Sequence, residues 1–255
     1  MRGQIAFILA LCVVLPAALA ADEKTEAGQR PQTFEKTITV KLDYLLYLPE
    51  GYDKQQDKKW PLIVFLHGSG ESGSDINMVK KHGPPKLLAA GGAELPVKDF
   101  VVVSPQCPAA RRGWNTDHLN MLLDDILDKY RVDQDRVYLT GLSMGGFGTW
   151  SWAEHYPERF AAIAPMCGGG DPIFANRLRK MPIWVFHGEK DPVVPIKSSE
   201  VMVEAVKKAG NENVKFTRYP NAGHDCWTES YNNPELYEWF LQHKRAGRAE
   251  QASGK

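Results

Sequence analysis

An unbroken apolar run, Pro61–His67, is the feature of this sequence that most restricts its fold. The apolar residues of the run are continuous instead of alternating with polar ones, as in a strand that is buried on both faces. A strand of this kind lies inside a sheet that carries helices on both sides. Similar runs recur and predict further strands at Phe100–Ser104, Arg136–Thr140, Ala161–Met166, Pro182–His187 and Val214–Tyr219.

Amphipathic helical patterns separate these runs. In the clearest one, apolar residues from Leu119 to Tyr130 fall on one stripe and three aspartates fall on the opposite face; shorter stripes run from Met202 to Ala209 and from Leu236 to Phe240. Because buried strands alternate with helices, the sequence predicts an α/β fold with a mostly parallel, twisted sheet and helices on both faces. Two alternating segments, 37–40 and 44–48, predict a hairpin at the edge of the sheet.

The ends of the chain differ from the rest in composition. Residues 1–20 have a basic start, an apolar stretch too short to span a bilayer and small residues at the end, which predicts a signal peptide. A polar leader at 21–34, a folded domain at 35–243 and a disordered polar tail at 244–255 are predicted to follow. We therefore expect a secreted or periplasmic protein that is cleaved near Ala20.

Charge and cysteine content narrow the expected partners. The chain has 31 basic and 31 acidic residues, and its basic residues are scattered, so no nucleic-acid partner is expected. Because the apolar stretch within residues 1–20 is too short to span a bilayer, stable membrane insertion is not expected either. Cleavage near Ala20 leaves Cys107, Cys167 and Cys226, which permit one disulfide in an oxidising compartment but do not define the pair. No Cys or His spacing indicates a metal site, and no cofactor is expected. The oligomeric state stays open.

A glycine-rich turn follows the third predicted strand. The segment Gly141-Leu142-Ser143-Met144-Gly145 matches the pattern G-x-S-x-G between a strand and a helix. A serine on such a sharp turn takes a strained backbone conformation, and flanking glycines avoid collisions with the neighbouring strand and helix. The pattern predicts that Ser143 is a nucleophile.

Loops after the fifth and sixth predicted strands supply a candidate acid and a candidate base. Asp191 lies in the first of these loops and His224 in the second. His224 is predicted to take the proton of Ser143, and Asp191 to orient the imidazole. Glu189 and Asp171 are alternative acids.

The loop after the first predicted strand, His67-Gly68-Ser69-Gly70, can bring a backbone N–H toward the nucleophile. We predict that the N–H groups of Ser69 and Met144 form an oxyanion hole. His67 precedes the nucleophile in the chain and is predicted to be structural.

These motifs, taken in this order, resemble the α/β-hydrolase superfamily, whose triad residues follow the order Ser, Asp, His. The chain looks like small secreted esterases related to feruloyl and polyhydroxybutyrate-depolymerase-type esterases, and it is similar to the catalytic domain of prolyl-oligopeptidase-like enzymes. The resemblance implies the same triad and oxyanion donors, and a substrate cleft to which we assign Gln106, Trp114 and Trp227. Only residues 167–181 separate the fourth predicted strand from the fifth, so no cap domain is expected.

Three functions follow from this resemblance. The first is a secreted serine hydrolase that cleaves carboxylic esters through an acyl-enzyme intermediate, with esters on polysaccharides or phenolic esters as substrates. The second is a peptidase or amidase that uses the same triad. The third is a binding protein of the same fold, which is disfavoured because such relatives usually lose a triad member.

Overall fold

The computed structural model describes residues 29–91, 95–108 and 113–245. The predicted signal peptide, most of the predicted leader and all but the first two residues of the predicted tail lie outside the described residues. Contacts divide the chain into two units, of which the first ends at Thr39. Its described residues form no helix or strand. The sheet, the helices and the candidate site all belong to the unit that begins at Val40.

Seven strands in the described residues form one sheet with the order β1-β3-β2-β4-β5-β6-β7. Strands β2 to β7 are parallel, and edge strand β1 runs antiparallel to β3. All six strands predicted from apolar runs are present. The strands are β1 Tyr44–Tyr47, β2 Trp60–Leu66, β3 Val101–Pro105, β4 Val132–Leu142, β5 Ala162–Met166, β6 Ile183–Gly188 and β7 Val214–Tyr219.

The hairpin predicted at the edge of the sheet is wrong. Residues 37–40 form no strand, and β1 pairs with β3 instead, from Tyr44 opposite Pro105 to Tyr47 opposite Val102. Alternation over four residues indicates an extended segment but does not specify its partner. The prediction of an edge strand at this place is confirmed.

Six α-helices in the described chain cover the sheet on both faces. They are α1 Gly83–Ala89, α2 Thr116–Lys129, α3 Met144–His155, α4 Lys197–Lys208, α5 Trp227–Asn232 and α6 Pro234–Leu241. Helices α2, α3 and α4 pack on one face, and α1, α5 and α6 on the other. Short 3-10 helices lie at Ser69–Glu71, Ile76–Lys81, Pro96–Asp99, Pro157–Arg159 and Pro172–Leu178.

The position of β2 inside the sheet explains why its sequence is apolar throughout. Leu62, Val64 and Leu66 belong to the core cluster under α2, α3 and α4, whereas Ile63 and Phe65 belong to the cluster under α5 and α6. Each side chain of β2 is therefore buried on one face or the other. The predicted fold class, a mostly parallel sheet with helices on both faces, is confirmed.

The strand order places a crevice at one edge of the sheet. The chain passes from β2 to β3 on one side and then returns across β2 to β4, so the connections after β2 and β4 leave in opposite directions. Open α/β sheets bind ligands beyond the carboxyl ends of strands at such a switch point. The connection between β5 and β6 holds only the 3-10 helix Pro172–Leu178, so no cap domain is inserted there, as predicted.

No helix in the described ranges has both the length and the apolar character that crossing a bilayer requires.

Candidate active site

Ser143 lies on the turn between β4 and α3. Its φ of 53° and ψ of −117° fall in a region that residues with side chains rarely adopt. Two glycines allow the turn to pass close to neighbouring strands: a Cβ on Gly145 would lie 1.9 Å from the Leu66 carbonyl oxygen, and one on Gly146 would lie 2.2 Å from the Met166 carbonyl oxygen. Close backbone packing thus requires glycine at Gly145, the last residue of the motif, and at Gly146, which follows it.

Ser143, His224 and Asp191 form a continuous line of hydrogen bonds. His224 Nε2 lies 2.9 Å from Ser143 Oγ, and His224 Nδ1 lies 2.7 Å from Asp191 Oδ2. Since a carboxylate only accepts, Nδ1–H donates to Asp191, and Nε2 is left to accept the hydroxyl proton. The loops after β4, β6 and β7 bring these three residues together at the carboxyl edge of the sheet.

The carboxylate of Asp191 is enclosed by donors. Its side chain has no exposed surface, and Oδ1 accepts the N–H groups of Val193 and Val194 at 2.8 and 2.9 Å. Burial alone would raise its pKa, but the hydrogen bonds from His224, Val194 and Val193 outweigh burial and hold the pKa of Asp191 below its usual range. The group is therefore an anion at neutral pH.

The two alternative acids lie elsewhere. Glu189 pairs with Arg218 at 2.9 Å on the surface, and Asp171 caps a 3-10 helix by accepting the N–H of Ile173 at 3.0 Å. Neither carboxylate hydrogen-bonds to His224, whereas Asp191 does.

The loop after β2 lies against the residue that precedes Ser143. A Cβ on Gly68 would lie 2.9 Å from Leu142 Cδ1, so a side chain at this position would require the Leu142 side chain to shift. Buried Glu71 closes the loop, because its Oε2 accepts the N–H of Gly68 at 3.0 Å. This carboxylate fixes the turn that carries Ser69.

Both predicted oxyanion donors lie at helix starts. Met144 is the first residue of α3, and Ser69 is the first residue of the 3-10 helix Ser69–Glu71. The first N–H groups of a helix lie outside its internal hydrogen bonds and form the positive end of its dipole. Met144 directly follows Ser143, and Gly68, next to Ser69, lies against Leu142.

The assignment of Gln106 to the cleft needs correction. Its side chain is buried, and Nε2 donates to the carbonyl oxygens of Glu71 and Asp75 at 2.9 and 2.8 Å. Gln106 therefore supports the loop after β2 from beneath. Gln106 directly follows the carboxyl end of β3, but its side chain points into the structure.

Trp114 lies beside the first turn of α3. Its indole N–H donates to the His67 carbonyl at 3.4 Å, and its ring lines an open cavity of about 420 Å³. The residues that line this cavity are Gly113, Trp114, Met144, Phe147, Gly148 and Ser151.

Trp227 packs beneath the proposed base. It is 8% exposed, its ring meets that of His224 edge to face at 5.1 Å, and its Nε1–H donates to His82 Nδ1 at 3.4 Å. His82 Nε2 in turn lies 3.8 Å from Glu71 Oε1. Trp227 thus positions the His224 ring. Glu71 and His82 connect the proposed base to the loop after β2. Sequence patterns did not single out either of these two residues.

Two buried histidines at strand ends complete the frame. His67 Nε2 accepts the N–H of Cys107 at 2.9 Å, which agrees with its predicted structural role. His187, which was not predicted, has Nε2 at 3.3 Å from Asp191 Oδ2 and 2.9 Å from the Val194 carbonyl. Burial lowers the pKa of both histidines, so both are neutral at neutral pH. The one signal for His187 in the sequence is its place at the end of a buried strand.

Comparison with known proteins agrees with this architecture. The family described as the dienelactone hydrolase family matches residues 108–250. A crystal structure of a thermostable esterase is 34% identical, with a TM-score of 0.69 over 81% of this chain and 60% of that one. The predicted likeness to the α/β-hydrolase superfamily and to esterases within it is confirmed.

Curated relatives carry esterase names. The bifunctional acetylxylan esterase/xylanase XynS20E of Neocallimastix patriciarum is 28% identical over 189 residues, which cover 70% of this chain and 26% of that protein. A probable feruloyl esterase C of Aspergillus terreus is 28% identical over 71% of this chain and 66% of its own length. The chain therefore spans less than two thirds of the length of these two relatives. The family match at residues 108–250 covers more than half of the chain. The chain belongs to the dienelactone hydrolase family.

Proposed function

We propose that this chain is a secreted serine esterase in which Ser143 is the nucleophile, His224 the base and Asp191 the orienting acid. The observation that carries the proposal is the line of hydrogen bonds from Ser143 through His224 to Asp191, with Ser143 on a strained turn. Esterase names among the relatives support the choice of bond.

Acylation begins with proton transfer. His224 Nε2, at 2.9 Å, takes the proton of Ser143 as Oγ attacks the ester carbonyl. Asp191 is ionised and accepts Nδ1–H, so it holds the tautomer that leaves Nε2 basic and stabilises the imidazolium that forms.

The carbonyl oxygen becomes an oxyanion between the N–H groups of Ser69 and Met144. Such a donor is worth about 3 kcal/mol of barrier. The intermediate expels the alcohol, which takes the proton from His224, and leaves an acyl group on Ser143. Water then enters, gives its proton to His224 and releases the acid by the same steps in reverse order.

The substrates are esters on polysaccharides or phenolic esters. The aromatic ring of Trp114 and the cavity beside α3 offer a surface on which a sugar or phenol ring can stack, and the site has no inserted cap that would restrict bulky alcohols. The names of the acetylxylan and feruloyl esterases point to the same substrates.

A panel of substrates tests this function. Purified wild type and Ser143→Ala are assayed on p-nitrophenyl acetate, methyl ferulate, acetylated xylan and aminoacyl p-nitroanilides. We expect ester turnover by the wild type and a loss of at least about 10⁴-fold in kcat for Ser143→Ala. Faster turnover of anilides than of esters would assign the chain to the peptidases, and full activity of Ser143→Ala would end the proposal.

Export follows from the predicted organisation, with a signal peptide at 1–20, a leader at 21–34, a catalytic domain at 35–243 and a tail at 244–255. We expect the exported chain to begin at Ala21, which intact mass measurement reads directly. A chain that keeps its first residues after export would contradict this organisation.

A further inference from the structure

Two buried cysteines belong to the same core cluster beside the candidate site. Cys167 directly follows β5, and Cys226 precedes α5; both are free thiols with no exposed surface, and Cys226 is near enough to contribute to the raised pKa of Cys167. Cys107 is also buried but lies elsewhere, with its sulfur 3.4 Å from the Gly113 carbonyl oxygen. The mechanism proposed above uses none of these thiols.

Both cysteines lie close to His224, the proposed base. The sulfur of Cys167, an oxygen of Asp191 and a nitrogen of His224 all lie within 4.8 Å of one another. Cys226 is two residues beyond His224, and its N–H donates to the His224 carbonyl at 3.0 Å. A bond between the two sulfurs would therefore tie the loop that carries His224 to the end of a central strand.

The backbone at Cys167 is constrained as well. Its φ of 39° is left-handed, which a residue with a side chain adopts only when its surroundings enforce it. Its N–H donates to the Phe186 carbonyl at 2.9 Å, and this bond fixes the residue to β6. The thiol of Cys167 is thus presented to Cys226 from a rigid position.

We propose that Cys167 and Cys226 form a disulfide when the chain folds in an oxidising environment, and that Cys107 stays a thiol. Each cysteine gives up its proton and one electron as the S–S bond forms. A low-molecular-weight disulfide such as oxidised glutathione takes up both electrons and both protons and becomes two thiols. The proposal selects one of the three pairings that the sequence leaves open, and it does not depend on the esterase assignment.

The bond forms during folding rather than afterwards. Burial, together with contact with Cys226, raises the pKa of Cys167 well above its ordinary value in the folded protein. Because the thiolate is the species that attacks, the folded dithiol reacts slowly with an external disulfide. Before the two residues are buried, this restriction is absent.

Peptide mapping tests the pairing directly. The full chain is refolded in a mixture of reduced and oxidised glutathione, denatured in iodoacetamide without reductant and digested with trypsin. The three cysteines fall on separate tryptic peptides, 99–111, 160–177 and 219–244. We expect peptides 160–177 and 219–244 to be linked and peptide 99–111 to be alkylated. Alkylation of Cys167 and Cys226 without reductant, or a link that includes Cys107, would overturn the proposal.

Thermal unfolding tests the effect of the bond. Reduction is expected to lower the Tm of the refolded wild type by about 5–10 °C. The matched control Cys107→Ser should show the same drop, whereas the double variant Cys167→Ser/Cys226→Ser should not respond to reductant. A wild-type Tm that does not change on reduction would contradict a stabilising disulfide. A double variant whose Tm falls as much as that of the wild type on reduction would also contradict it.

Discussion

At Asp191, burial and hydrogen bonding act on the pKa in opposite directions, and hydrogen bonding prevails. Donors from His224, Val193 and Val194 surround the carboxylate, and neutral His187 adds no charge beneath it. The result is a buried anion whose position is fixed and whose Oδ2 accepts the Nδ1–H of His224. An exposed carboxylate would be mobile and screened by water.

The choice of acid is testable by a pair of substitutions. In Asp191→Asn the carboxamide can donate to His224 Nδ1, which favours the tautomer with a proton on Nε2, so that Nε2 no longer accepts from Ser143. We expect kcat on an aryl ester to fall about 10³–10⁴-fold.

Glu189→Gln is the matched control. Glu189 lies in the same loop as Asp191, but its carboxylate pairs with Arg218 at the protein surface. We expect its kcat to stay within about 3-fold of the wild type. A severe loss in Glu189→Gln together with a mild loss in Asp191→Asn would reverse the assignment.

At the scale of secondary-structure elements, the turn from β4 to α3 depends on how closely α3 approaches β2. The helix starts against the carbonyl of Leu66, so a side chain at Gly145 has no room. This approach also brings the loop after β2 beside Ser143. The same contact therefore supports the nucleophile and the proposed oxyanion hole.

A pair of glycine substitutions measures that contact. Gly145→Ala would place its Cβ 1.9 Å from the Leu66 carbonyl oxygen, whereas a Cβ on Gly70 meets nothing within 4 Å. We expect Gly145→Ala to lower the free energy of unfolding by about 3 kcal/mol or more, and Gly70→Ala to change it by less than about 1 kcal/mol. Denaturant unfolding followed by fluorescence provides both values. Equal stability of the two variants would show that α3 starts farther from β2 than described.

Local patterns predicted the six parallel strands, helices α2, α4 and α6, and the Ser143 turn with the helix that follows it, because each depends on residues that are neighbours in the chain. Helices α1 and α5 were not predicted. The contacts that support the site were not predicted either, since His82, Glu71 and Trp227 meet only after distant elements pack. Gln106 shows the same limit: its position near the cleft followed from the order of strands, but the direction of its side chain is set by the carbonyl groups it binds.

At the scale of the whole molecule, the sheet order is what makes one site from distant segments. Loops after β2, β4, β6 and β7 all open at the carboxyl edge, and the reversal between β2 and β4 leaves the crevice between them. Helix α3 crosses this region and also carries a buried carboxylate, Glu154, whose Oε1 accepts the N–H of Asp171 at 3.0 Å. Because Glu154 is buried, its protonation affects the free energy of unfolding.

Burial raises the pKa of Glu154 from 4.5 to about 7, although the hydrogen bond from Asp171 acts in the other direction. Between these values the folded state retains a proton that the unfolded state releases, so the free energy of unfolding falls as pH rises through this window. Glu154→Gln keeps an acceptor for the Asp171 N–H but does not titrate. We expect the Tm of the wild type to decrease relative to that of the variant as pH rises from 4.5 to about 7. Parallel Tm curves for the two proteins across this range would contradict the shift.

Activation of Ser143 by His224 is measured by covalent labelling of the serine. The wild type and His224→Ala are treated with a fluorophosphonate, and the modified residue and the labelling rate are determined by mass spectrometry of the tryptic peptide 137–159. We expect a single phosphonylated residue, Ser143, and a labelling rate at least about 10³-fold lower in His224→Ala. A label on another residue, or an equal rate in the two proteins, would contradict it.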